Sequence, residues 1–144
     1  MSHGAKRVKE ILDGIAGMEI NDITGEVIAA AIKVHTELGP GLFESVYEEI
    51  LTYELMKRNL FVQRQVAIPV VYESVQMEAG FRADLIIERL VIVEIKSIET
   101  VAAVHKKRVL TYLKLAGLKI GLLINFNEEL LKNGITRLYN NHLK

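Results

Sequence analysis

RADLIIERLVIVEIK, residues 82–96, is the stretch that decides the fold of this chain. It contains two runs of aliphatic residues joined by a short polar segment, which is the pattern of two β-strands linked by a turn. Three charged residues, Asp84, Glu94 and Lys96, fall inside runs whose other members favour burial. A buried charge costs free energy unless it is paired or bound to a metal. The stretch therefore predicts a hairpin whose acids need a cation, and a divalent metal is the natural candidate.

The alternation of side chains between the two faces of a sheet restricts how this hairpin can pair. Glu94 and Lys96 share one face with Ile92. The register that puts Asp84 directly across from Glu94 leaves the other face wholly apolar, which supports that register and assigns the apolar face to the core. It pairs Leu85 with Val93, Ile87 with Val91 and Ala83 with Ile95. It also requires an odd-length loop around residues 88–90, or a bulge, although the glycine usual in such a loop is absent.

The predicted neighbours Asp84 and Glu94 would have Cβ atoms about 4.5–5.5 Å apart. Two carboxylates at that distance repel, so one takes up a proton unless a cation lies between them. Hard oxygen ligands suit Mg²⁺ or Mn²⁺, with waters and the backbone carbonyl of Ile95 as further ligands. The Lys96 ammonium would reach an attacking water or a phosphate oxygen. The alternative interpretation is a cross-strand salt bridge at the solvated end of a sheet.

Composition limits the classes of function that are open to the chain. Its 144 residues suffice for one domain with a single sizeable core, and 50% of them are hydrophobic, which excludes a disordered chain. Lys plus Arg and Asp plus Glu balance at 18 each, so a nucleic-acid site must be a local patch. The absence of cysteine excludes disulfides and Cys-based zinc sites. No apolar run is long enough to cross a bilayer, and we expect a soluble, cytoplasmic protein without a membrane partner.

Hydrophobic periodicity outward from the hairpin predicts helices before and after it, and strands on both sides. The predicted helices are Thr24–Leu38, capped by Asp22 or Thr24, then Phe43–Arg58 and Thr100–Ala116. The predicted strands lie within Asn59–Tyr72, at about 77–87 and 91–97 after a turn over residues 73–76, at Ile120–Phe126, and at Ile135–Tyr139 as a last edge strand. Gly39-Pro40-Gly41 ends the first long helix, and Pro69 indicates an edge strand or a bulge.

This order of elements predicts an α/β fold. A three-stranded antiparallel meander is followed by a crossover helix and a further buried strand, in a mixed sheet of about four to five strands flanked by helices. The edge signals at Pro69 and Ile135 leave room for a homodimer. Residues 5–16 carry apolar side chains at helical spacing. We assign residues 1–22 to an N-terminal extension, either a helix on the domain or an appended segment, and residues 23–144 to the domain.

Several motifs follow one another in a fixed order along the chain. They are His35-Thr36-Glu37-Leu38-Gly39-Pro40, the GxxExxY match Gly41-Leu42-Phe43-Glu44-Ser45-Val46-Tyr47, the Asp84…Glu94-x-Lys96 hairpin, Tyr112-Leu113-Lys114, and GLLINF at residues 121–126. In these motifs and their order, the chain resembles the GxxExxY proteins, a small bacterial and archaeal group in the PD-(D/E)XK nuclease-like superfamily. The resemblance covers about Ile23–Tyr139. It implies a restriction-endonuclease-like core of a helix, a three-stranded meander, a helix and a further strand, which is the order that the periodicity gives.

The resemblance also implies a chemistry and a set of residues that carry it. Active members of the superfamily cleave phosphodiester bonds with Mg²⁺, so the expected function is metal-dependent hydrolysis of nucleic acid, with DNA favoured. Glu44 would be the first-helix acid, Asp84 the main metal ligand, and Glu94 and Lys96 the ExK pair. These four residues are the expected catalytic group. The expected metal ligands are Asp84, Glu94, the Ile95 backbone carbonyl and Glu44, with Mg²⁺ or Mn²⁺ as cofactor.

One position departs from the pattern of the family. The family usually carries Gln on the second core helix, one turn before the Tyr, whereas this chain has Arg108 before Tyr112. His105, Arg108 and Tyr112 share a helical face and would point at the same pocket. Arg108 either binds a scissile phosphate or pairs with Glu44 or Asp84 in a site that has lost its metal. The alternative function is therefore a catalytically inactive nuclease-like domain that binds nucleic acid or protein.

The remaining candidates would surround this site and bind substrate. They are Tyr47, Lys106, Lys107, Arg108 and Tyr112. A Tyr at the position of Tyr47 is more often a core residue with a hydrogen-bonded hydroxyl. The basic cluster at residues 106–108 is usually a solvated helix face, but beside an acidic metal site it would hold a nucleic-acid backbone.

Overall fold

The computed structural model describes residues 19–141, in which two α-helices are followed by three β-strands, a third α-helix and two further β-strands. The helices are α1 (Ile20–Leu38), α2 (Glu44–Lys57) and α3 (Ala103–Ala116). The strands are β1 (Val62–Tyr72), β2 (Val75–Ile87), β3 (Val91–Lys96), β4 (Ile120–Asn125) and β5 (Ile135–Tyr139), with a 3₁₀ turn at Leu131–Gly134. The predicted helix over residues 5–16 lies outside the described residues. No helix within residues 19–141 is long and apolar enough to cross a membrane.

The five strands form one mixed sheet in the order β1-β2-β3-β4-β5. β1, β2 and β3 make an antiparallel meander, and β4 then lies parallel to β3. A parallel neighbour requires a crossover connection, and α3 supplies it. β5 pairs antiparallel with β4 at the far edge. The predicted fold class, an α/β restriction-endonuclease-like core with a mixed sheet flanked by helices, is confirmed.

Both faces of the central strands are covered by helices. Alternate side chains of β3 and β4 divide between two apolar clusters, since successive strand residues point to opposite faces. The cluster against α1 and α2 includes Val27, Leu51, Leu85, Val93 and Leu122. The cluster against α3 includes Ile86, Ile92, Val109, Leu113 and Leu123. The predicted core face of β3 is therefore confirmed, and the face that carries Glu94 is covered as well.

α1 begins earlier than the sequence predicts. Ile20 rather than Thr24 is its first residue, and its N-cap Glu19 makes no side-chain capping bond. The Thr24 hydroxyl donates to the carbonyl three residues before it (3.1 Å), so the predicted cap at Asp22 or Thr24 is wrong. Packing explains the difference, because Ile23 and Thr24 are buried near the start of the helix. Burying these residues outweighs the local preference for a polar cap.

The segment Gly39-Pro40-Gly41 ends α1 as predicted. Gly39 has a φ of 72° and Gly41 a φ of 91°, a conformation that residues with a Cβ rarely adopt. The two glycines therefore allow the chain to reverse between α1 and α2 over a few residues.

β1 is an edge strand, and its pairing with β2 is irregular at Pro69. The register shifts between Ile68 and Val70, so both features indicated by the proline are present. The turn that joins β1 to β2 is shorter than the predicted turn over residues 73–76. It consists of Glu73 and Ser74, because the strands continue to Tyr72 and from Val75.

Candidate active site

The β2–β3 hairpin has the predicted register. Its paired positions are Leu85 with Val93, Ile86 with Ile92 and Ile87 with Val91. The odd-length loop closes without glycine, since Glu88 and Arg89 themselves adopt positive φ values of 53° and 57°. The Glu88 carboxylate accepts a hydrogen bond from the Phe61 N–H (2.7 Å), which helps to hold this strained turn.

Beyond these three pairs, side chains replace the backbone hydrogen bonds between β2 and β3. The Asp84 N–H donates to Glu94 Oε1 (2.9 Å), and the Ile95 N–H donates to Asp84 Oδ2 (2.9 Å). The predicted pair of Ala83 with Ile95 does not form within this described hairpin, because the Ile95 N–H is bound to a carboxylate. Each acid thus bonds to the backbone of the opposite strand. These two reciprocal hydrogen bonds hold the acids at one point between the strands.

The two acids lie where a negative charge is costly. Glu94 is only 6% exposed, and burial, followed by the charge of Asp84, raises the pKa of Glu94 to about 8. Burial also raises the pKa of Asp84, and the Glu48 charge adds to that rise. Lys96 opposes both shifts, yet within residues 19–141 it forms no ion pair with either acid. The alternative of an exposed cross-strand salt bridge is therefore wrong.

The donor set at this point suits a hard divalent cation. The repulsion between a buried and a half-buried carboxylate that lie side by side is relieved either by a proton or by a cation between them. Within residues 19–141, no group of three or more His, Cys, Asp or Glu residues is arranged to hold a metal ion. Mg²⁺, however, is usually held by one or two carboxylates, with waters and substrate phosphates completing its shell. Asp84 and Glu94 fit such an ion, whereas the Ile95 carbonyl as a further ligand stays a prediction.

A small cleft lies between the ExK pair and α3. It has a volume of about 30 Å³ and is lined by Glu94, Lys96, His105, Arg108, Val109, Tyr112 and Leu123. The structure thus brings the predicted helical face of α3 to the acids. In the described part of the chain, Arg108 forms no ion pair with Asp84 or Glu94. Its guanidinium therefore does not take the place between the two acids.

Two aromatic rings of this cleft are held by their own partners. His105 Nδ1 accepts a hydrogen bond from the Ala102 N–H (3.0 Å) in the first turn of α3, which begins at Ala103 rather than at the predicted Thr100. The Tyr112 ring stacks on Phe81, with centroids 3.7 Å apart and planes 11° from parallel. Burial, and then the Glu94 charge, raises the pKa of Tyr112, so this phenol stays neutral at physiological pH.

Glu44 lies at the first position of α2, near the end of β3 rather than between the acids. Its Oε2 accepts a hydrogen bond from the Ser97 N–H (3.2 Å). The Ser97 hydroxyl in turn donates to the Leu42 carbonyl (2.6 Å). Glu44 therefore ties the start of α2 to the residue after Lys96, and its role as a metal ligand stays a prediction.

Tyr47 does not line the cleft. It is fully buried, its hydroxyl donates to the Gly39 carbonyl (2.6 Å) and accepts from the Leu42 N–H (3.2 Å), and its ring stacks on Phe126 with centroids 4.4 Å apart. These contacts favour the core interpretation over contact with substrate. Residues 106 and 107 are exposed lysines on α3 and lie outside the lining of the cleft.

Sequence reasoning missed two residues beside Asp84. Glu48 is buried on α2, and its Oε1 accepts a hydrogen bond from the Gln65 side-chain amide (2.6 Å). The same amide nitrogen donates to Asp84 Oδ1 (3.3 Å). Glu48 follows Glu44 by one helical turn, and that spacing was a signal available in the sequence. Nothing in the sequence points to Gln65, because its partners come from distant segments.

Asn125 is a third residue that sequence reasoning missed. It is fully buried at the end of β4, and its amide clamps the main chain of Ile98. The side chain accepts from the Ile98 N–H (3.1 Å) and donates to the Ile98 carbonyl (2.9 Å). The clamp fixes the segment that leaves β3 just after Lys96. A polar residue at the end of an otherwise apolar strand was the signal.

Comparison with known proteins agrees with the fold. A family model described as the PD-(D/E)XK nuclease superfamily matches residues 21–138, which is most of the chain. No match was found among curated proteins or among solved structures. The matched range includes α1 from its second residue, then α2, the whole meander, α3 and β4. The chain therefore belongs to the PD-(D/E)XK nuclease superfamily.

Proposed function

We propose that this protein is a Mg²⁺-dependent phosphodiesterase that hydrolyses nucleic acid, with DNA as its substrate, and that it belongs to the GxxExxY group. The observation that supports this proposal is the reciprocal bonding of Asp84 and Glu94 across the β2–β3 gap. It brings the buried Glu94 and the half-buried Asp84 together, with Lys96 two residues beyond Glu94 on the same face of β3. Membership of a nuclease superfamily points to the same chemistry.

Asp84 and Glu94 would hold the cation, with Glu44 and the Ile95 carbonyl as proposed further oxygen donors. Mg²⁺ or Mn²⁺, when bound, supplies a lower pKa for a coordinated water and neutralises charge on the phosphate. The backbone N–H groups that bind the two carboxylates keep them in position, so little reorganisation is needed. The proposed loss of the Glu94 proton on cation binding follows from its raised pKa.

Lys96 is the proposed source of positive charge toward the reacting phosphate. It lines the cleft with Glu94 and forms no ion pair among the described residues. Its ammonium would orient the attacking water or stabilise the charge that develops in the transition state. Arg108 and Tyr112 line the same cleft and are the proposed substrate contacts, with residues 106 and 107 holding the backbone farther out.

Cation binding is tested by thermal unfolding with and without millimolar Mg²⁺ or Mn²⁺. A ligand that binds only the native state stabilises it, by about 2.7 kcal/mol at a hundredfold excess over Kd. We expect the melting temperature of the wild type to rise and that of Asp84→Ala not to respond. Glu78→Ala, which removes an exposed acid from β2, is the matched control and should respond like the wild type. No response of the wild type would contradict the proposal.

Catalysis is tested by cleavage of single- and double-stranded DNA and of RNA. Lys96→Ala should still show the metal-induced rise in melting temperature, because its ammonium is not a ligand. It should lose cleavage by about 10²–10³-fold, as is typical when one group that stabilises the transition state is removed. Lys132→Ala, an exposed lysine in the 3₁₀ turn, should cleave like the wild type. Full activity of Lys96→Ala would remove Lys96 from the mechanism.

A second candidate function is a nuclease-like domain that binds nucleic acid or protein without catalysis. It is favoured by the cationic Arg108 beside Glu94 and by the small volume of the cleft, about 30 Å³. Under this alternative, DNA binding would be unchanged by Mg²⁺ and by Asp84→Ala, and no substrate would be cleaved. Cleavage that requires both the metal and Asp84 would support the catalytic function and contradict this alternative.

A further inference from the structure

Gln65 has an unusual backbone for a residue inside a β-strand. Its φ is 49°, in the left-handed region, which is uncommon for a residue with a long side chain. The pairing of β1 with β2 passes from Arg64–Leu85 directly to Val66–Ala83, so Gln65 lies opposite Asp84 between two regular pairs. The register is the same on both sides, so the irregularity belongs to this one residue. Strained backbone of this kind persists only where its surroundings hold it.

Hydrogen bonds rather than packing hold Gln65 in this conformation. The residue is exposed, so no apolar contact requires its placement. Its Nε2 donates to Glu48 Oε1 (2.6 Å) and to Asp84 Oδ1 (3.3 Å). Its main-chain carbonyl accepts from Arg82 (3.3 Å). The side-chain amide thus joins an acid from α2 to an acid from β2.

Glu48, at the other end of this bridge, is itself fixed. Its second carboxylate oxygen accepts from the Arg64 guanidinium (3.0 Å), and Arg64 also pairs with Glu49 (2.9 Å). Glu48 is buried, so the pair is shielded from water more than a surface pair would be. A chain of bonds therefore runs from Arg64 through Glu48 and Gln65 to Asp84.

Asp84 is consequently held through both of its oxygens. The Ile95 N–H binds Oδ2, and Gln65 binds Oδ1. From this we infer that Gln65 is a positioning residue, which sets the orientation of the Asp84 carboxylate against Glu48 and thereby the affinity of the acid pair for a divalent cation. The inference rests on the proposed function for its metal. Partners that orient a metal-binding carboxylate typically account for 10–100-fold in affinity.

Two substitutions at Gln65 separate this role from a purely structural one. Gln65→Ala removes the bridge and keeps a Cβ in the left-handed backbone, whereas Gln65→Gly removes the bridge and adopts that backbone freely. We expect Gln65→Gly to melt at a higher temperature than Gln65→Ala. We expect both variants to bind Mn²⁺ at least about tenfold more weakly than the wild type by calorimetric titration. Gln63→Ala, from the same strand, is the control and should bind Mn²⁺ like the wild type.

A metal-free measurement tests the orientation of Asp84 directly. The Ile95 amide proton is bound to Asp84 Oδ2, so its exchange with solvent should accelerate about tenfold or more in both Gln65 variants. The Val93 amide, in the regularly paired part of the hairpin, serves as the reference and should not change. The inference would be overturned if both variants bound Mn²⁺ as tightly as the wild type, or if their Mn²⁺ affinities differed from each other in step with their melting temperatures. Unchanged exchange of the Ile95 amide would also overturn it. Faster exchange at Ile95 in a protein whose wild type binds no Mn²⁺ would support the positioning of Asp84 and reject the proposed function instead.

Discussion

Glu94 shows how a single buried carboxyl group links stability to function. It is almost excluded from solvent, and the nearby Asp84 makes its ionisation still less favourable. A chain selected only for stability would place an apolar residue here, because burying an ionised acid beside a second acid costs several kcal/mol without a compensating charge. The backbone N–H of Asp84 offsets part of this cost. A bound cation would remove the rest of the free-energy cost of ionising Glu94 beside Asp84.

The pH dependence of unfolding tests this description of Glu94. The pKa of Glu94 is about 8 in the folded protein and 4.5 ordinarily, so between these values the folded state binds more protons than the unfolded state. Without metal, the free energy of unfolding should therefore fall as the pH rises from about 5 to about 8, by at most about 1.4 kcal/mol per pH unit from this group. Urea unfolding at several pH values measures the slope. Glu94→Gln should flatten it, and an equal slope in that variant would contradict the assignment.

At the residue scale, the sequence predicted the acids of the hairpin better than the acid of the helix. Asp84 and Glu94 are ten positions apart in one hairpin, so strand alternation alone places them together. The helix acid depends on how α2 packs against β1. Glu44 reaches Ser97, while Glu48 approaches Asp84 through Gln65. Two acids one turn apart on the same helix are equivalent until that packing is known.

At the scale of elements, α3 serves two purposes. Its buried residues Val109 and Leu113 pack on the sheet, while His105, Arg108 and Tyr112 line the cleft. The exposed basic residues at positions 106 and 107 lie on a further side of the same helix. The chain has no net charge, so such a local cluster is the feature expected to attract a polyanion.

The contribution of α3 to DNA binding is tested by the double substitution Lys106→Ala with Lys107→Ala. Each lysine that neutralises a phosphate adds about 0.9 to the slope of log affinity against log salt. The double variant should therefore lower that slope by up to about 2, as measured by fluorescence anisotropy between about 50 and 200 mM salt. Lys114→Ala with Lys119→Ala removes the same charge near the opposite end of α3 and should leave the slope unchanged. Equal slopes in both double variants would exclude residues 106 and 107 from the interface.

At the scale of the whole molecule, the central strands of the sheet unite two cores. Neighbouring residues of β4 face opposite ways, Leu122 toward α1 and α2 and Leu123 toward α3. The hairpin that ends at Glu73 and Ser74 projects from this body, and Val71 near its tip is 61% exposed. Stability should therefore depend on both layers and little on the hairpin.

Truncation of one residue in each layer tests this division. Leu122→Ala and Leu123→Ala should each lower the free energy of unfolding by about 2–5 kcal/mol, because each leaves a cavity in a packed core. Val71→Ala should change it by no more than about 0.5 kcal/mol, since the side chain is exposed. Urea unfolding followed by circular dichroism measures all three. A separate early transition in Leu123→Ala would show that the layer with α3 unfolds independently, contrary to our expectation.

The sequence by itself determined the order of the elements, the mixed sheet and the register of the β2–β3 hairpin. These follow from periodicity, turn residues and alternation, which act over a few positions. Only the tertiary structure decided which helix acid approaches Asp84, that Tyr47 is a core residue, and that Gln65 and Asn125 support the site. The bonds of Tyr47 to Gly39, of Gln65 to Glu48 and Asp84, and of Asn125 to Ile98 join residues 8 to 27 positions apart. Such contacts form only once these segments have packed together. Packing of distant segments leaves no periodic trace in the chain, so Gln65 could be recognised as a partner of Asp84 only in the folded molecule.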